Sequence, residues 1–185
     1  MHLIVGLGNP GEEYENTRHN MGRIFIDSFW VKHQGFDDWS SWSSSKNAGA
    51  LYAKGKIGKH RVELVKPQLY MNKSGKSVLY AVTKHKIKSE NIIVIYDDLD
   101  LPIGTFKIAF NRGSGGHKGL ESIERALKTR KFIRVRVGIS PITPSGKIRK
   151  PKGEKKVLNF IMKNFSESER KMIKKISKKI SDALE

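Results

Sequence analysis

Two short apolar runs constrain the fold of this chain more than any other feature. Leu3, Ile4, Val5 and Leu7 lie between glycines near the start, and residues 92–96 form a second run in mid-chain. Runs of this length are typical of strands, and a run without polar alternation is typical of a strand that is covered on both faces. The chain is therefore expected to contain a central sheet whose inner strands are buried.

The remaining patterns alternate between helices and strands. Apolar positions three and four apart predict a helix that begins near Met21 and a second helix after Asn72. A turn at residues 58–60 predicts a hairpin, which requires an antiparallel strand pair. The sequence thus predicts a single α/β domain over residues 1–185, with a mixed central β-sheet and helices on both faces. Further predicted elements are strands at 48–57, 61–66, 105–110 and 132–139, a helix at 118–127, an apolar segment at 157–162, and a surface excursion at 37–47 that contains Trp39 and Trp42.

The last 45 residues are basic. Residues 141–156 form a basic, proline-studded loop with few apolar side chains, which we expect to be mobile. Ser166 and Glu169 have the spacing of a capping box, which starts a basic C-terminal helix over residues 166–185. One stripe of this helix is apolar and the remainder is rich in lysine. The lysine face is either solvated surface or a contact for phosphates.

The charge of the chain favours a polyanionic partner. The chain has 36 Lys and Arg against 18 Asp and Glu, a formal net charge of +18. Such an excess is typical of nucleic-acid binding through counterion release, although a lysine-rich proteome or a thermophilic surface would give the same count. The chain has no cysteine, which excludes disulfides and thiolate chemistry. The first apolar run is too short for a signal peptide or a membrane span, so we expect a cytoplasmic protein with no membrane contact.

A polar loop directly after the first apolar run is the strongest candidate for a functional site. It contains Asn9, Tyr14, Arg18, His19 and Asn20, and it begins with the turn signal Asn-Pro-Gly. Loops at strand ends often hold binding and catalytic residues. The loop also matches G-x-G-x-x-G, but no helix starts at the last glycine, which argues against a dinucleotide site.

Three other motifs suggest enzymes of different classes. Tyr70 stands where a P-loop needs glycine, and Arg112 stands where a nucleophile elbow needs glycine, so both motifs fail. Asp97, Asp98 and Asp100 follow the second apolar run, and three such carboxylates could chelate magnesium. Alternatively one of them points at a histidine, because strand alternation places Asp97 on the face opposite the other two.

Four motifs together identify a resemblance to a known family. They are GLGNPGEEYENTRHNMG, KPQLYMNKSG, IYDDLDLPIG and GSGGHKGLESI, in this order and at these separations. From Leu3 to about Phe165 the chain resembles bacterial-type peptidyl-tRNA hydrolases. The resemblance implies a monomeric mixed-sheet α/β domain, free of metals and other cofactors, that cleaves the ester between a peptide and the 3′-terminal ribose of tRNA. The polyanion inferred from the charge would then be tRNA.

The resemblance also implies a catalytic pair. His19 matches the family's catalytic base, and Asp97 matches its carboxylate partner. An imidazole titrates near neutral pH and can therefore take a proton from water. A carboxylate on the other ring nitrogen fixes the tautomer and stabilises the imidazolium as it forms.

Four further residues match substrate-binding positions of the family. Asn9 and Asn72 match positions that hydrogen-bond the peptide and help to place the attacked carbonyl, and Asn9 is also where the family reads the peptide amide instead of a free ammonium. Amides suit this role because they donate and accept without charge. Tyr14 and Tyr70 correspond to residues that line the cleft for the 3′ end of tRNA, where an aromatic ring can stack on a base.

The chain departs from the family pattern at two places. Lys118 replaces an asparagine that contacts substrate, and an ammonium close to His19 would lower the pKa of that histidine. At the site for the tRNA 5′-phosphate, Arg136 matches one basic residue, but Ala109 stands where the family has lysine. Lys107 lies two residues earlier on the same strand face and is expected to substitute for it.

Two alternative functions follow from these features. A non-catalytic RNA-binding relative with the same fold is favoured by Lys118 but has no need of His19 and Asp97. A metal-dependent phosphoesterase built on the carboxylates that follow residue 96 predicts loss of activity with a chelator. The hydrolase that the resemblance implies predicts indifference to the chelator.

Overall fold

A seven-stranded mixed sheet forms the centre of the molecule. The computed structural model describes residues 1–36 and 38–185, so Asp37, in the predicted surface excursion, lies outside the described residues. The strands are β1 (His2–Gly6), β2 (Ser43–Ser45), β3 (Ala50–Ile57), β4 (His60–Pro67), β5 (Ile92–Pro102), β6 (Phe106–Phe110) and β7 (Ile133–Ser140). Their order in the sheet is β2-β3-β4-β1-β5-β7-β6. The four inner strands run parallel, whereas β2, β3 and β6 pair antiparallel with their neighbours.

Helices cover both faces of this sheet. They are α1 (Met21–His33), α2 (Ser74–His85), α3 (Lys118–Leu127), α4 (Glu154–Ile161) and α5 (Glu167–Leu184). Helices α1 and α5 pack on one face together with Ile4 and Ile95, and α2 and α3 pack on the other face together with Leu3 and Val94. The predicted fold class, a single α/β domain with a mixed sheet between helical layers, is confirmed.

The two apolar runs form the centre of the sheet. Strand β1 pairs in parallel with β4 on one side and with β5 on the other, with Leu3 opposite Ile92 and Val5 opposite Val94. Their side chains are buried on both faces, as the absence of polar alternation predicts. The carboxyl ends of β1, β5 and β7 consequently meet at one edge of the sheet.

Two sequence predictions are wrong in ways that bear on function. Strand β5 does not end before Asp97 but continues to Pro102, because it keeps pairing with β7 through Asp98 and the acidic side chains find cationic partners. The excursion at residues 37–47 is not wholly on the surface. It contains β2, and Trp39 is buried against Gly55, where an added Cβ would lie 2.2 Å from the indole.

The C-terminal region is more ordered than the sequence indicates. Helix α4 begins at Glu154, inside the segment predicted to be a loop, and a bridge joins Ile142 to Ile148. The mobility of residues 141–156 stays a prediction. The capping box of Ser166 and Glu169 is confirmed at the start of α5. Among the described residues, none of the helices is both long and apolar enough to cross a membrane.

The close approach of α2 and α3 predicts a strong effect of one added methyl group. At Gly75, a Cβ would lie 2.1 Å from the carbonyl oxygen of Ser122 on α3, so Gly75→Ala forces the helices apart. We expect it to lower the free energy of unfolding by about 1–3 kcal/mol, measured by chemical denaturation. Gly35→Ala is the control, because a Cβ there meets nothing within 4 Å. Equal stability of the two variants would contradict this account of the packing.

Candidate active site

A buried carboxylate held between two histidines forms the centre of the site. Asp97 on β5 accepts hydrogen bonds from Nδ1 of His19 at 3.0 and 3.1 Å and from Nε2 of His117 at 3.0 Å. The two imidazole rings lie 4.9 Å apart between centroids. The fold thus brings together the two residues for which the sequence predicts a catalytic pair, and it adds a second histidine.

The loop that carries His19 is fixed by the side-chain amide of Asn20, which forms two hydrogen bonds with the backbone of Asn9. The side chain of Asn20 accepts from the backbone N–H of Asn9 at 2.8 Å and donates to the carbonyl of Asn9 at 2.9 Å. Helix α1 then starts directly against the sheet, since Gly22 allows its backbone to approach Ile95, where a Cβ would lie 2.2 Å from the carbonyl oxygen. His19 is therefore held at the carboxyl ends of β1 and β5.

His117 is fixed by the start of helix α3. It is the N-cap of this helix, and its Nδ1 accepts from the backbone N–H groups of Gly119 at 3.2 Å and Leu120 at 3.4 Å. Because Nδ1 is an acceptor, the ring proton lies on Nε2 and is donated to Asp97. The ring of Tyr96 packs edge-on against His117 with centroids 5.0 Å apart. His117 therefore connects the carboxylate of Asp97 to the N-terminus of α3 in one orientation of its ring.

The electrostatics of this cluster favour a charged carboxylate. Burial by itself would raise the pKa of Asp97, but attraction and hydrogen bonds from His19 and His117 hold it well below its usual range. Burial lowers the pKa of His19, but the attraction and hydrogen bonding of Asp97 outweigh it and raise that pKa above its ordinary value. The pair consists of a permanent carboxylate and an imidazole of increased basicity.

The second ring nitrogen of His19 is left free to act. Among residues 1–36 and 38–185, none forms a hydrogen bond with Nε2, and His19 lines a cleft of about 280 Å³. When Nδ1–H donates to Asp97, the lone pair of the neutral ring lies on Nε2. This is the arrangement of a general base that is oriented by a carboxylate. The cleft is also lined by residues of α4 and of the preceding loop, among them Lys150, Pro151, Val157 and Ile161.

The same three side chains have the residue types of a metal site, but their hydrogen bonds argue against one. Candidate ligand atoms of His19, Asp97 and His117 lie within 4.8 Å of one another. His117 could offer a lone pair to a metal only by giving up its cap on α3, because one of its nitrogens must carry the proton. The cluster therefore fits a hydrogen-bonded chain better than a set of metal ligands.

The three carboxylates proposed as magnesium ligands do not converge. Asp97 binds the two histidines, Asp98 accepts from Nε of Arg136 at 2.7 Å, and Asp100 pairs with Lys150. Each acid therefore has its own cationic or imidazole partner, and the alternation of side chains separates Asp97 from the other two. The arrangement does not supply the shared centre that the phosphoesterase interpretation requires.

Asn9 is tied to the segment that carries Tyr70 and Asn72. Its Oδ1 accepts the backbone N–H of Met71 at 2.8 Å, which leaves its amide N–H₂ as the group that can bind substrate. Asn72 and Tyr70 lie on either side of Met71, and both are exposed, Tyr70 by 60%. Tyr14 ends a short 3₁₀ turn (Glu12–Tyr14) and is half-buried. Within the described chain, no ring contact or hydrogen bond joins either tyrosine to His19 or Asp97.

The predicted phosphate-binding pair shares one face of the sheet. Lys107 on β6 lies directly opposite Arg136 on β7, and Ala109 lies opposite Arg134. Lys107 is exposed, whereas Arg136 is buried and bound to Asp98. Arg134 is fully buried and binds Glu124 of α3 at 3.1 Å, so it is not available to a ligand. The cross-strand pairing supports Lys107 as the substitute for the lysine that is missing at Ala109.

Lys118 lines the same cleft as His19, but its ammonium is paired with a carboxylate of α3. Its ammonium lies 3.3 Å from the carboxylate of Glu121, one helical turn further along α3, and its side chain is 66% exposed. The pKa of His19 is raised, with Asp97 as the cause. The structure therefore does not support the expected lowering of this pKa by Lys118.

Comparison with known proteins places these residues in a family. The family model described as peptidyl-tRNA hydrolase matches residues 3–185. The peptidyl-tRNA hydrolase of Clostridium acetobutylicum is 40% identical over 185 residues, covering 100% of this chain and 90% of that protein. That of Aquifex aeolicus is 40% identical over 177 residues, covering 96% and 84%. The crystal structure of the Acinetobacter baumannii peptidyl-tRNA hydrolase superposes with a TM-score of 0.86 at 29% identity, covering 98% of this chain and 85% of that one.

The chain belongs to the peptidyl-tRNA hydrolase family. The resemblance inferred from the four motifs is confirmed, and the match extends beyond Phe165 to the last residue. The structure adds one residue, His117, to the site that the sequence predicts for this peptidyl-tRNA hydrolase. His117 follows two glycines and precedes a helical pattern, which is the position of a helix N-cap, and this signal could have identified it.

The contrast between Lys118 and Asp97 gives a direct test of the electrostatics. We expect Asp97→Asn to lower the pKa of His19, because burial then acts without the opposing carboxylate. Lys118→Asn should leave this pKa unchanged, because the ammonium is paired with Glu121. The measurement is an NMR titration of the His19 ring in each variant. A clear rise of the pKa in Lys118→Asn would show that the lysine acts on the catalytic pair after all.

Proposed function

We propose that this protein hydrolyses the ester that links a peptide to the 3′-terminal ribose of tRNA, with His19 as the general base. The observation that carries the proposal is the hydrogen bond of 3.0 Å from Nδ1 of His19 to Asp97, which leaves Nε2 without a hydrogen-bond partner among the described residues in a side chain that lines the cleft. The family of the chain defines the reaction, and the geometry supplies the group that activates water. Asp97 and Asn9 complete the proposed catalytic set.

The reaction needs one proton to move in and out of His19. Nε2 takes a proton from water as the water oxygen bonds to the ester carbonyl carbon, and Asp97 stabilises the imidazolium that forms. When the tetrahedral intermediate collapses, the bond from carbon to the ribose 3′-oxygen breaks, and the imidazolium returns its proton to that oxygen. The products are a peptide with a free carboxylate and a tRNA with a free 3′-hydroxyl.

Asn9 is suited to binding a carbonyl oxygen of the substrate. Its own oxygen is occupied by the N–H of Met71, so the amide N–H₂ is the group that is left to donate to substrate. A donor held in place by the backbone can stabilise negative charge on an oxygen at no cost of reorganisation. Asn9 is also proposed to read the peptide amide, so that a blocked amino group is preferred over a free ammonium. Asn72, on the neighbouring exposed turn, is proposed to bind the peptide further along.

The proposed tRNA contacts surround this centre. Lys107 and Arg136 bind the 5′-phosphate, and Tyr14 and Tyr70 stack against the unpaired 3′ end at ~1–3 kcal/mol per base. Lys118 is proposed to contact the tRNA backbone from the edge of the cleft, since its charge lies on the outside of α3. A monomeric enzyme is proposed because the family resemblance implies one. The cytoplasm, where peptidyl-tRNA is formed, is the proposed location.

The first test is release of peptide from N-blocked aminoacyl-tRNA in the presence of a chelator, with unblocked aminoacyl-tRNA as the control. We expect His19→Ala to lower kcat by ~10²–10⁴-fold, the usual effect of a positioned general base. Binding of tRNA should stay within a few-fold, because the phosphate contacts are untouched. Turnover above half of the wild-type value would rule out His19 as the base, and sensitivity to the chelator would favour a metal enzyme.

The second test concerns the phosphate contacts. We expect binding of tRNA to weaken steeply with salt, and the double variant Lys107→Gln/Arg136→Gln to reduce the slope of log K against log salt by about one to two, since each phosphate contact contributes about 0.9. The matched control, Lys59→Gln/Arg61→Gln, removes two charges at the opposite end of the sheet, where β4 begins. Equal slopes for both double variants would place the phosphate contact elsewhere.

A further inference from the structure

Arg18 connects the catalytic loop to the C-terminal part of the chain. Its guanidinium forms two hydrogen bonds with the carboxylate of Glu169 on α5, at 2.8 and 2.9 Å. The other terminal nitrogen donates to the carbonyl oxygens of Lys163 at 3.1 Å and Asn164 at 2.7 Å. Arg18 is itself buried, and it directly precedes His19. Because the planar guanidinium donates to two carboxylate oxygens and two carbonyl oxygens, both the position and the orientation of the Arg18 side chain are fixed.

The backbone around Arg18 repeats the same connection. The N–H of Arg18 donates to the carbonyl of Lys163 at 3.1 Å, and the N–H of Phe165 donates to the carbonyl of Asn16 at 3.0 Å. Thr17 and Asn164 form a bridge between these two bonds. The segment 163–165 therefore lies beside the catalytic loop as a short antiparallel partner, although more than 140 residues separate the two along the chain.

Glu169 has a double role at this junction. Its carboxylate accepts the N–H of Ser166 at 2.7 Å within the capping box of α5, in addition to the two bonds from Arg18. Burial alone would raise the pKa of Glu169, but the hydrogen bonds from Ser166 and Arg18 hold it below its usual value. The charge that anchors Arg18 is thus built into the start of a helix.

Two aromatic rings enclose the guanidinium. Phe160 of α4 lies 4.7 Å from the guanidinium carbon and Phe165 lies 5.3 Å from it, both measured to the ring centroids. Cation–π contacts of this kind strengthen when water is excluded. Helix α4 also supplies Val157 and Ile161 to the wall of the catalytic cleft. Arg18 therefore contacts the wall of the cleft as well as the loop that holds the base.

We infer that Arg18 is a positioning residue that holds His19 in hydrogen-bonding geometry with Asp97, and that Glu169 is its anchor. The inference rests on the proposed function, because His19 needs this position only as a general base. Backbone bonds to residues 163–165 hold the segment before His19, and the side chain of Arg18 adds the contacts that attach this segment to α5. A displacement of about 1 Å in a reacting group can reduce a rate by ~10²-fold, so such an anchor has a measurable effect.

The charged groups around His19 determine how its pKa would change if the loop that carries it moved away from Asp97. Asp97 and His117 face the ring directly. The other charged residues that line the same cleft are Asp98, Asp100, Arg112, Lys118, Arg136 and Lys150. Because Asp97 is the group that raises the pKa of His19 against the effect of burial, weakening this contact should lower that pKa. The acid limb of kcat/KM should then move to lower pH.

The test compares two neutral substitutions on the first turn of α5. Glu169→Gln keeps a side chain that can complete a capping box but removes the charge that anchors Arg18. Glu167→Gln removes a charge from the same turn, and the ion pair that its carboxylate forms among the described residues is with the exposed Lys171 at 3.6 Å. We expect Glu169→Gln to lower kcat ~10–100-fold with KM within about threefold, and to lower the pKa of His19 in an NMR titration. Glu167→Gln should match the wild type in both measurements.

A second variant covers the possibility that Glu169→Gln fails to fold. Arg18→Lys keeps the buried charge but cannot bind the carboxylate and both carbonyls together, and it should give the same loss of kcat and the same direction of pKa change. Folded variants with wild-type kcat and an unchanged His19 titration would overturn the inference, as would equal losses in Glu167→Gln and Glu169→Gln. If the wild type releases no peptide, the proposed function fails, but the NMR titration still decides whether Arg18 positions His19.

Discussion

The hydrogen bonding of Asp97 is the constraint on which the rest of the site depends. A carboxylate with almost no exposure to solvent is costly unless donors surround it, and here the donors are two imidazole nitrogens at about 3 Å. Each histidine is in turn fixed by backbone structure, His19 by the closed loop after β1 and His117 by the N-terminus of α3. Asp97 therefore joins the loop after β1 to the start of α3. Nε2 of His19 is left as the ring nitrogen that is proposed to take a proton from water.

The alternation of side chains along β5 separates the carboxylate that contacts the two histidines from the one that contacts Arg136. Asp97 serves the histidines, Asp98 holds Arg136 opposite Lys107, and Asp100 pairs with Lys150 of the loop that borders the cleft. Three carboxylates of one strand thus have three different partners, and the alternation of side chains separates Asp97 from the other two. The C-terminal segment is attached to the loop that carries His19. Arg18 of this loop forms hydrogen bonds with Lys163, Asn164 and Glu169.

The fold and the contact between His19 and Asp97 were predictable because their signals are local or belong to complete motifs. The apolar runs predicted buried strands, the hairpin turn predicted an antiparallel edge, and the four motifs predicted the family and with it His19 and Asp97. The misses share one cause, which is that a local pattern does not name a distant partner. Trp39 lies in a polar segment and was placed on the surface, whereas it fills the space above Gly55. Strand β5 was ended at its acids because their cationic partners lie up to 50 residues away.

The sequence by itself determined the sheet, the order of its elements, the loop that holds the base and the overall charge, since apolar periodicity, turn residues and composition are properties of neighbours along the chain. Only the tertiary structure decided which nitrogen of each histidine faces Asp97, that Lys118 turns to Glu121, and that Arg18 is held by Glu169. These outcomes depend on distances between residues far apart in sequence. A hydrogen bond requires the donor and acceptor atoms to lie within about 3.5 Å, and no pattern along the chain encodes that distance.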